Sequence, residues 1–431
     1  MQERWTLFLA RIPGGKLLTG GAILFASMTI VNAGNYAFNL ILGRWLGPAA
    51  FSDLSLIVTL MLVVSFMTTS LAQTSAKFAA IHTADNDLVR LSQLRRWLGR
   101  VAWIIGGILA LLLVLGAPLW RQFFHTTSAW PFIILGVGLP VFFAQGVDRG
   151  VLQGQTRFGI LALSYQAEMW VRLLGAVGLV ALGLAVNGAV TGITLSFIAT
   201  WLVARQVGAE LPSTGELPQS ERQMVARFSV PVAGALIGQV LINNSDILIV
   251  KHFFEPGAAG QYAALALIGR IVFFATWSIV TVMFPIVAQR HRKGEAHRHL
   301  LFVSIGIVAG VSAIITAGTL SIPELIVQVL FGSAYLDIAP LLWLYALATM
   351  LYALGNVVIN YRLSAGHGGG SLVAVVAGLV QVGGLWLFHD SLRQVVLVQI
   401  YIMAFLFGTV LAWDIRLYVK EKRTQTRNVS T

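Results

Sequence analysis

Twelve long apolar runs, separated by short polar gaps, leave this chain very few folds. They lie at about 17–42, 52–76, 98–117, 129–149, 158–184, 187–207, 226–250, 260–288, 300–321, 338–361, 371–388 and 392–415. A helix needs about 20 mainly apolar residues to cross a hydrocarbon core about 30 Å thick, and each run meets or approaches that length. With 57% hydrophobic and 11% charged residues, the 431-residue chain has too little polar surface to clothe a soluble globule. Segments such as 101-VAWIIGGILALLLVLGA-117 carry no alternation of apolar and polar positions, which excludes a transmembrane β-barrel. The expected fold is all-α and polytopic: a basic segment at 1–16, a six-helix bundle at 17–207, a linker at 208–225, a second bundle at 226–415 and a basic tail at 416–431.

The basic residues are sorted by side. Of the 29 Lys and Arg, 23 fall before the first run, in or beside the even-numbered gaps, or in the tail. The odd-numbered gaps hold only Arg44, Arg121, Lys251 and Arg393. By the positive-inside rule both termini and the 208–225 linker are cytoplasmic, and the chain belongs in the cytoplasmic (inner) membrane. A net charge of +12 is thereby explained as a topology signal that also touches anionic lipid, with no nucleic-acid partner implied. Residues 1–16 show no cleavable signal, and the first run reads as an uncleaved anchor.

The gaps also bear on chemistry. Outward connections are short and offer only scattered acids such as Glu255, Glu324, Asp337 and Asp390, so no catalytic pair is presented there. The eight histidines lie in gaps or at run ends without metal-ligand spacing, and 290-RHRKGEAHRH-299 reads as a solvated basic loop. There is no Walker sequence and no cysteine; no cofactor and no metal are expected. Energy for any transport then comes from an ion gradient, from membrane potential or from a partner.

The stretch 43-GRWLGPAAFSDLSL-56 after the first run is echoed by 251-KHFFEPGAAGQYAAL-265 after the seventh, with Pro48 on Pro256 and Ala50 on Ala258. Two six-helix halves of one topology suit a transporter built from parallel repeats, with its substrate path at their interface. The run 39-NLILGRWLGPAAF-51, the polar-rich 69-TSLAQTSAKFAA-80, 255-EPGAAGQY-262 and 283-MFPIVAQ-289 resemble polysaccharide flippases of the multidrug/oligosaccharidyl-lipid/polysaccharide exporter superfamily. The resemblance implies a flippase for lipid-linked oligosaccharide in surface polysaccharide biosynthesis, with cationic residues lining a cavity that meets the lipid pyrophosphate. Its alternative is a Na⁺- or H⁺-coupled drug antiporter of the same superfamily. A membrane-embedded glycosyl- or phosphotransferase is the alternative from another class.

Charges inside the runs cost about 2.5–3.5 kcal/mol each on insertion scales, and so need a reason. Glu168 and Arg172 are four apart and share a helix face, either as a packing pair or as part of the transport path. Arg270 has no acid at helical spacing; its partner must be another helix, a lipid headgroup or substrate. A guanidinium suits a pyrophosphate because it donates two parallel hydrogen bonds and stays charged. Asn32, Asn35, Tyr36 and Asn39 fall on one side of the first run, and Tyr345, Tyr352, Asn356 and Asn360 on the tenth, as interhelical glue or cavity lining. Arg44, Asp53, Asp246 and Lys251 gather toward the outer ends as a gate of ion pairs. Lys77, Asp148, Arg149 and Arg362, at inner ends, are expected to snorkel to water. The glycines, Gly106, Gly107, Gly136, Gly138, Gly383 and Gly384 among them, are expected to allow close packing.

Overall fold

The computed structural model describes residues 15–208, 211–212, 215–366 and 369–429. The basic segment with Arg4 and Arg11, parts of the 208–225 linker, and the side chains of Lys16, Lys420, Lys422 and Arg423 lie outside the described residues. Every long element among the described residues is a helix, and none is a strand.

The first element, α1 (Gly15–Ala84), is 70 residues long, too long to cross a bilayer once. It breaks at Gly47, whose φ of 69° lies in the left-handed region, and Pro48 follows with no N–H to donate. The two arms are the first two expected spans. Next come α2 (Leu88–Leu115), a short α3 (Ala117–Phe123), α4 (Trp130–Gly154), α5 (Phe158–Leu179) and α6 (Ala185–Ala204). The last two are separated by a wide turn, Val180–Leu184, in which Gly183 has φ 86°. Then follow α7 (Gln219–Phe253), α8 (Pro256–Gly269), α9 (Ile271–Arg292), α10 (Arg298–Ser321) and a short α11 (Pro323–Leu330). The series ends with α12 (Leu342–Ser364), α13 (Gly369–Leu387) and α14 (Leu392–Val429).

Nine stretches among the described residues are long and apolar enough to cross a membrane. Two of them, Gly21–Ala84 and Phe158–Gly208, each cover two expected runs, Pro256–Arg292 covers one with two helices, and Leu372–Leu387 adds a shorter one, which accounts for the twelve expected runs. Large apolar side chains such as Phe25, Leu174, Ile314 and Phe405 stand exposed, as lipid-facing residues should.

The chain forms two compact units, one up to Leu236 and one from Ile237 onward, so the division falls within α7. In the first unit α4 is the central helix, packed by α1, α2 and α6. Its approach to α1 depends on Gly146, Gly150 and Gly154, one per turn. A Cβ at Gly150 would stand 2.3 Å from the Ala72 carbonyl oxygen, and one at Gly154 2.5 Å from that of Ala76. Among the glycines singled out from sequence, Gly106, Gly136 and Gly138 meet close neighbours in this way, whereas Gly107 and Gly383 face open space. In the second unit α12 is central, with α9, α10 and α14 against it and Val357 and Val358 fully buried.

Candidate functional site

Tight packing of α4 and α5 against α1 places three charged side chains together inside the first unit. Glu168 lies about 15 Å along α5 from its start, by the helical rise. It accepts a hydrogen bond from Arg172 Nη2, one turn on, as the spacing predicts. Its other oxygen lies 2.7 Å from Arg149 Nη1 on α4. Arg149 is otherwise committed: Nε and Nη2 donate to Ser164 Oγ and O, both at 3.0 Å, and its guanidinium lies 4.0 Å over the Tyr165 ring. Arg172 is less so. Nη1 donates to Asn35 Oδ1 at 3.3 Å, and Nε is buried with no acceptor. Two guanidinium ions share one carboxylate, and the cluster carries one surplus positive charge with all three side chains partly accessible. Desolvated surplus charge attracts an anion strongly, and guanidinium geometry fits phosphate oxygens.

Arg149 therefore does not snorkel; it reaches into the cluster and grips Glu168. Arg362 corrects the same expectation, because its Nε and Nη2 bind Asp414 Oδ1 at 2.5 Å and the Asp414 carbonyl at 2.7 Å. Arg298 holds the other Asp414 oxygen at 2.9 Å. Asp148 is buried against Arg95 at 2.7 Å. Lys77 alone of the four is exposed, with Nζ 3.7 Å from the Phe228 ring centroid.

In the second unit Arg270 finds its partner on another helix. Its Nη2 donates to Asp246 Oδ1 of α7 at 2.9 Å. The hydroxyls of Tyr262 and Tyr345 donate to Asp246 Oδ2 at 3.1 and 2.8 Å, and Gln399 donates to Tyr262 Oη at 2.5 Å. This network is electrically neutral. It borders a cavity of about 20 Å³, enough for roughly one water, lined by Arg270, Tyr345, Thr349, Tyr352 and Gln399 among others.

The remaining expected residues divide. Asn35 joins the Arg172 cluster, Asn32 is exposed, and Asn39 spends its amide on the Asn35 carbonyl of its own helix. Tyr352 is buried, stacked on Phe273, and accepts from Asn243 at 3.2 Å. Asn356 is buried and receives the amide of Asn360. Of the expected gate, Asp53 is bonded by Thr127 N and Oγ1 at 3.2 and 2.9 Å, Asp246 by Arg270, Lys251 is buried and Arg44 exposed. In the basic loop His297 bridges His291 at 3.2 Å and Tyr361 at 3.0 Å, and no group of three or more His, Asp or Glu among the described residues is placed to hold a metal.

Residues 17–291 match the family described as "Polysaccharide biosynthesis protein". Two proteins of Mycobacterium tuberculosis, "Uncharacterized protein MT1558/MT1560" of strain CDC 1551 and "Uncharacterized protein Rv1510" of strain H37Rv, are each 26% identical over 296 residues. The match covers 64% of this chain and 66% of theirs, just under two thirds of the relatives' length. Among solved structures, the "inward-facing conformation of a multidrug resistance MATE family transporter of the MOP superfamily" aligns with TM-score 0.77 at 13% identity, over 89% of this chain and 95% of that one. The outward-facing conformation of a MATE family transporter gives TM-score 0.64 at 15% identity, over 96% and 98%. At such identities the likeness shows the fold: that of MOP-superfamily transporters.

Proposed function

We propose, for a chain that belongs to the polysaccharide biosynthesis protein family and has a MOP-superfamily transporter fold, that it flips a lipid-linked oligosaccharide across the cytoplasmic membrane by alternating access. The substrate is a sugar chain on a polyprenyl pyrophosphate. The observation that carries this reading is the surplus positive charge of Arg149 and Arg172 over Glu168. An anionic pyrophosphate entering beside Arg172 supplies the missing counter-charge and an acceptor for its unspent Nε. Arg149 retains Glu168 meanwhile, so the carboxylate is not left unpaired. The prenyl tail stays in lipid. The charge sorting of the gaps supports cytoplasmic termini. In this reading the protein makes and breaks no covalent bond.

The alternative reading, drug–cation antiport, is less well supported by the acids. Asp148, Glu168, Asp246 and Asp414 are each bonded to one or two arginines, and Asp53 to Thr127. The two activities separate in proteoliposomes carrying a fluorescent lipid-linked oligosaccharide and an impermeant quencher. Flipping makes label from both leaflets quenchable. Label confined to the outer leaflet, together with drug resistance in overexpressing cells, would establish the antiporter instead.

A further inference from the structure

The short helix α3 forms a feature apart from the charged cluster of α4 and α5. Gly116 and Pro118 turn the chain sharply at the end of α2, so that α3 lies beside the α2 terminus. Between them runs an open groove of about 930 Å³, lined by Ile108, Leu111, Leu112, Leu115, Leu119 and Phe123 with the Trp120 ring. Trp120 is pinned in place: its indole N–H donates to the Leu112 carbonyl at 3.1 Å, and a Cβ at Gly116 would stand 2.6 Å from the indole nitrogen. Any side chain at 116 would displace the ring. A second cavity, lined by Arg121, Gln122 and His125, adjoins the groove, with Gln122 common to both. The Arg121 side chain is exposed and makes no ion pair or hydrogen bond among the described residues, while its backbone carbonyl accepts from Thr126 N at 3.1 Å. It is also one of only four basic residues in the gaps on its side of the membrane.

We infer that this groove binds one anionic glycerophospholipid, with an acyl chain along the α2–α3 groove and its phosphate on Arg121. An apolar trough ending in a free guanidinium, an amide and an imidazole repeats the order of groups along a phospholipid. A lone arginine at the end of a hydrocarbon-facing groove also has no protein counter-ion to give up when a phosphate arrives. One guanidinium matches the single negative charge of a phosphodiester such as phosphatidylglycerol.

The test is native mass spectrometry of the full chain in detergent, titrated with phosphatidylglycerol or with phosphatidylcholine of the same chains. The wild type should bind one phosphatidylglycerol about tenfold more tightly than Arg121→Gln does, with phosphatidylcholine binding the same in both. The Arg121 side chain has no structural partner, so the variant should melt with the wild type. Gly116→Leu, which displaces Trp120, should weaken both lipids. Equal phosphatidylglycerol affinity in wild type and Arg121→Gln overturns the assignment. So does displacement of the bound phosphatidylglycerol by polyprenyl phosphate at a lower concentration than phosphatidylglycerol itself requires, which would make the groove a carrier-lipid site.

Discussion

Arg172 and Arg270 both sit inside the membrane-spanning helices, yet the cluster around Arg172 carries a surplus positive charge and the one around Arg270 is neutral. Arg172 shares Glu168 with Arg149, so that two cations face one anion and one guanidinium nitrogen lacks an acceptor. Arg270 faces Asp246 alone, and two tyrosine hydroxyls saturate the second carboxylate oxygen. A neutral buried pair braced by hydrogen bonds fixes helices relative to one another; removing one member strands the other at a cost of about 3–5 kcal/mol. A cluster with surplus charge attracts something from outside. Burial alone does not separate the two sites, since both arginines are largely enclosed. The count of counter-ions does.

The largest effect should come from Arg172→Ala. Glu168 keeps Arg149, so the protein should still reach the membrane, but lipid-linked oligosaccharide flipping and surface polysaccharide should fall by about two orders of magnitude, the worth of two charge-assisted hydrogen bonds. Undiminished export would remove the functional half of the contrast. Next in size, Arg270→Gln should lower stability by about 3–5 kcal/mol, read as a fall in melting temperature in detergent. Adding Asp246→Asn should restore most of that loss, and transport with it. A stable double variant that still fails to transport would move Arg270 to the substrate.

A smaller effect tests how Arg149 is aimed. Gly150→Ala presses a Cβ against the Ala72 backbone and should cost about 1–3 kcal/mol while shifting α4. A melt identical to wild type would mean that the α1–α4 contact does not set the cluster. The smallest effect lies outside the membrane. Hydrogen bonds from Arg222 and Arg100 hold the exposed Glu216 carboxyl below the usual glutamate range. A lowered value stabilises the folded state above the ordinary glutamate pKa, and the gain fades as pH falls through the lowered one. Melting curves of wild type and Glu216→Gln should therefore differ slightly at neutral pH, converge in acid, and draw together with added salt.

Local relations were legible in the sequence and distant ones were not. Run length locates the membrane-spanning stretches, and the break at Gly47-Pro48 follows from backbone chemistry. Glu168 and Arg172 pair because four residues make about one helical turn. Arg149 and Glu168, by contrast, lie on different helices, as do Asp246 and Arg270, and no spacing rule links them. Arg362 and Asp414 meet across 52 residues for the same reason. The polar faces show a further limit: periodicity puts Asn39 and Asn360 on polar faces, but each amide bonds the residue one turn back on its own helix. The short helices α3 and α11 were missed, although Pro118 and Pro323 in their first turns are a helix-start signal.

The proposed mechanism gives Arg172 substrate contact through its charge surplus and leaves Arg270 a holding role. It is tested most directly by binding of a polyprenyl pyrophosphate to purified protein in detergent, comparing wild type, Arg172→Gln and the Asp246→Asn/Arg270→Gln double variant. Binding should weaken at least about tenfold in Arg172→Gln and stay unchanged in the double variant. Equal affinity in wild type and Arg172→Gln, or weakening confined to the double variant, would contradict it.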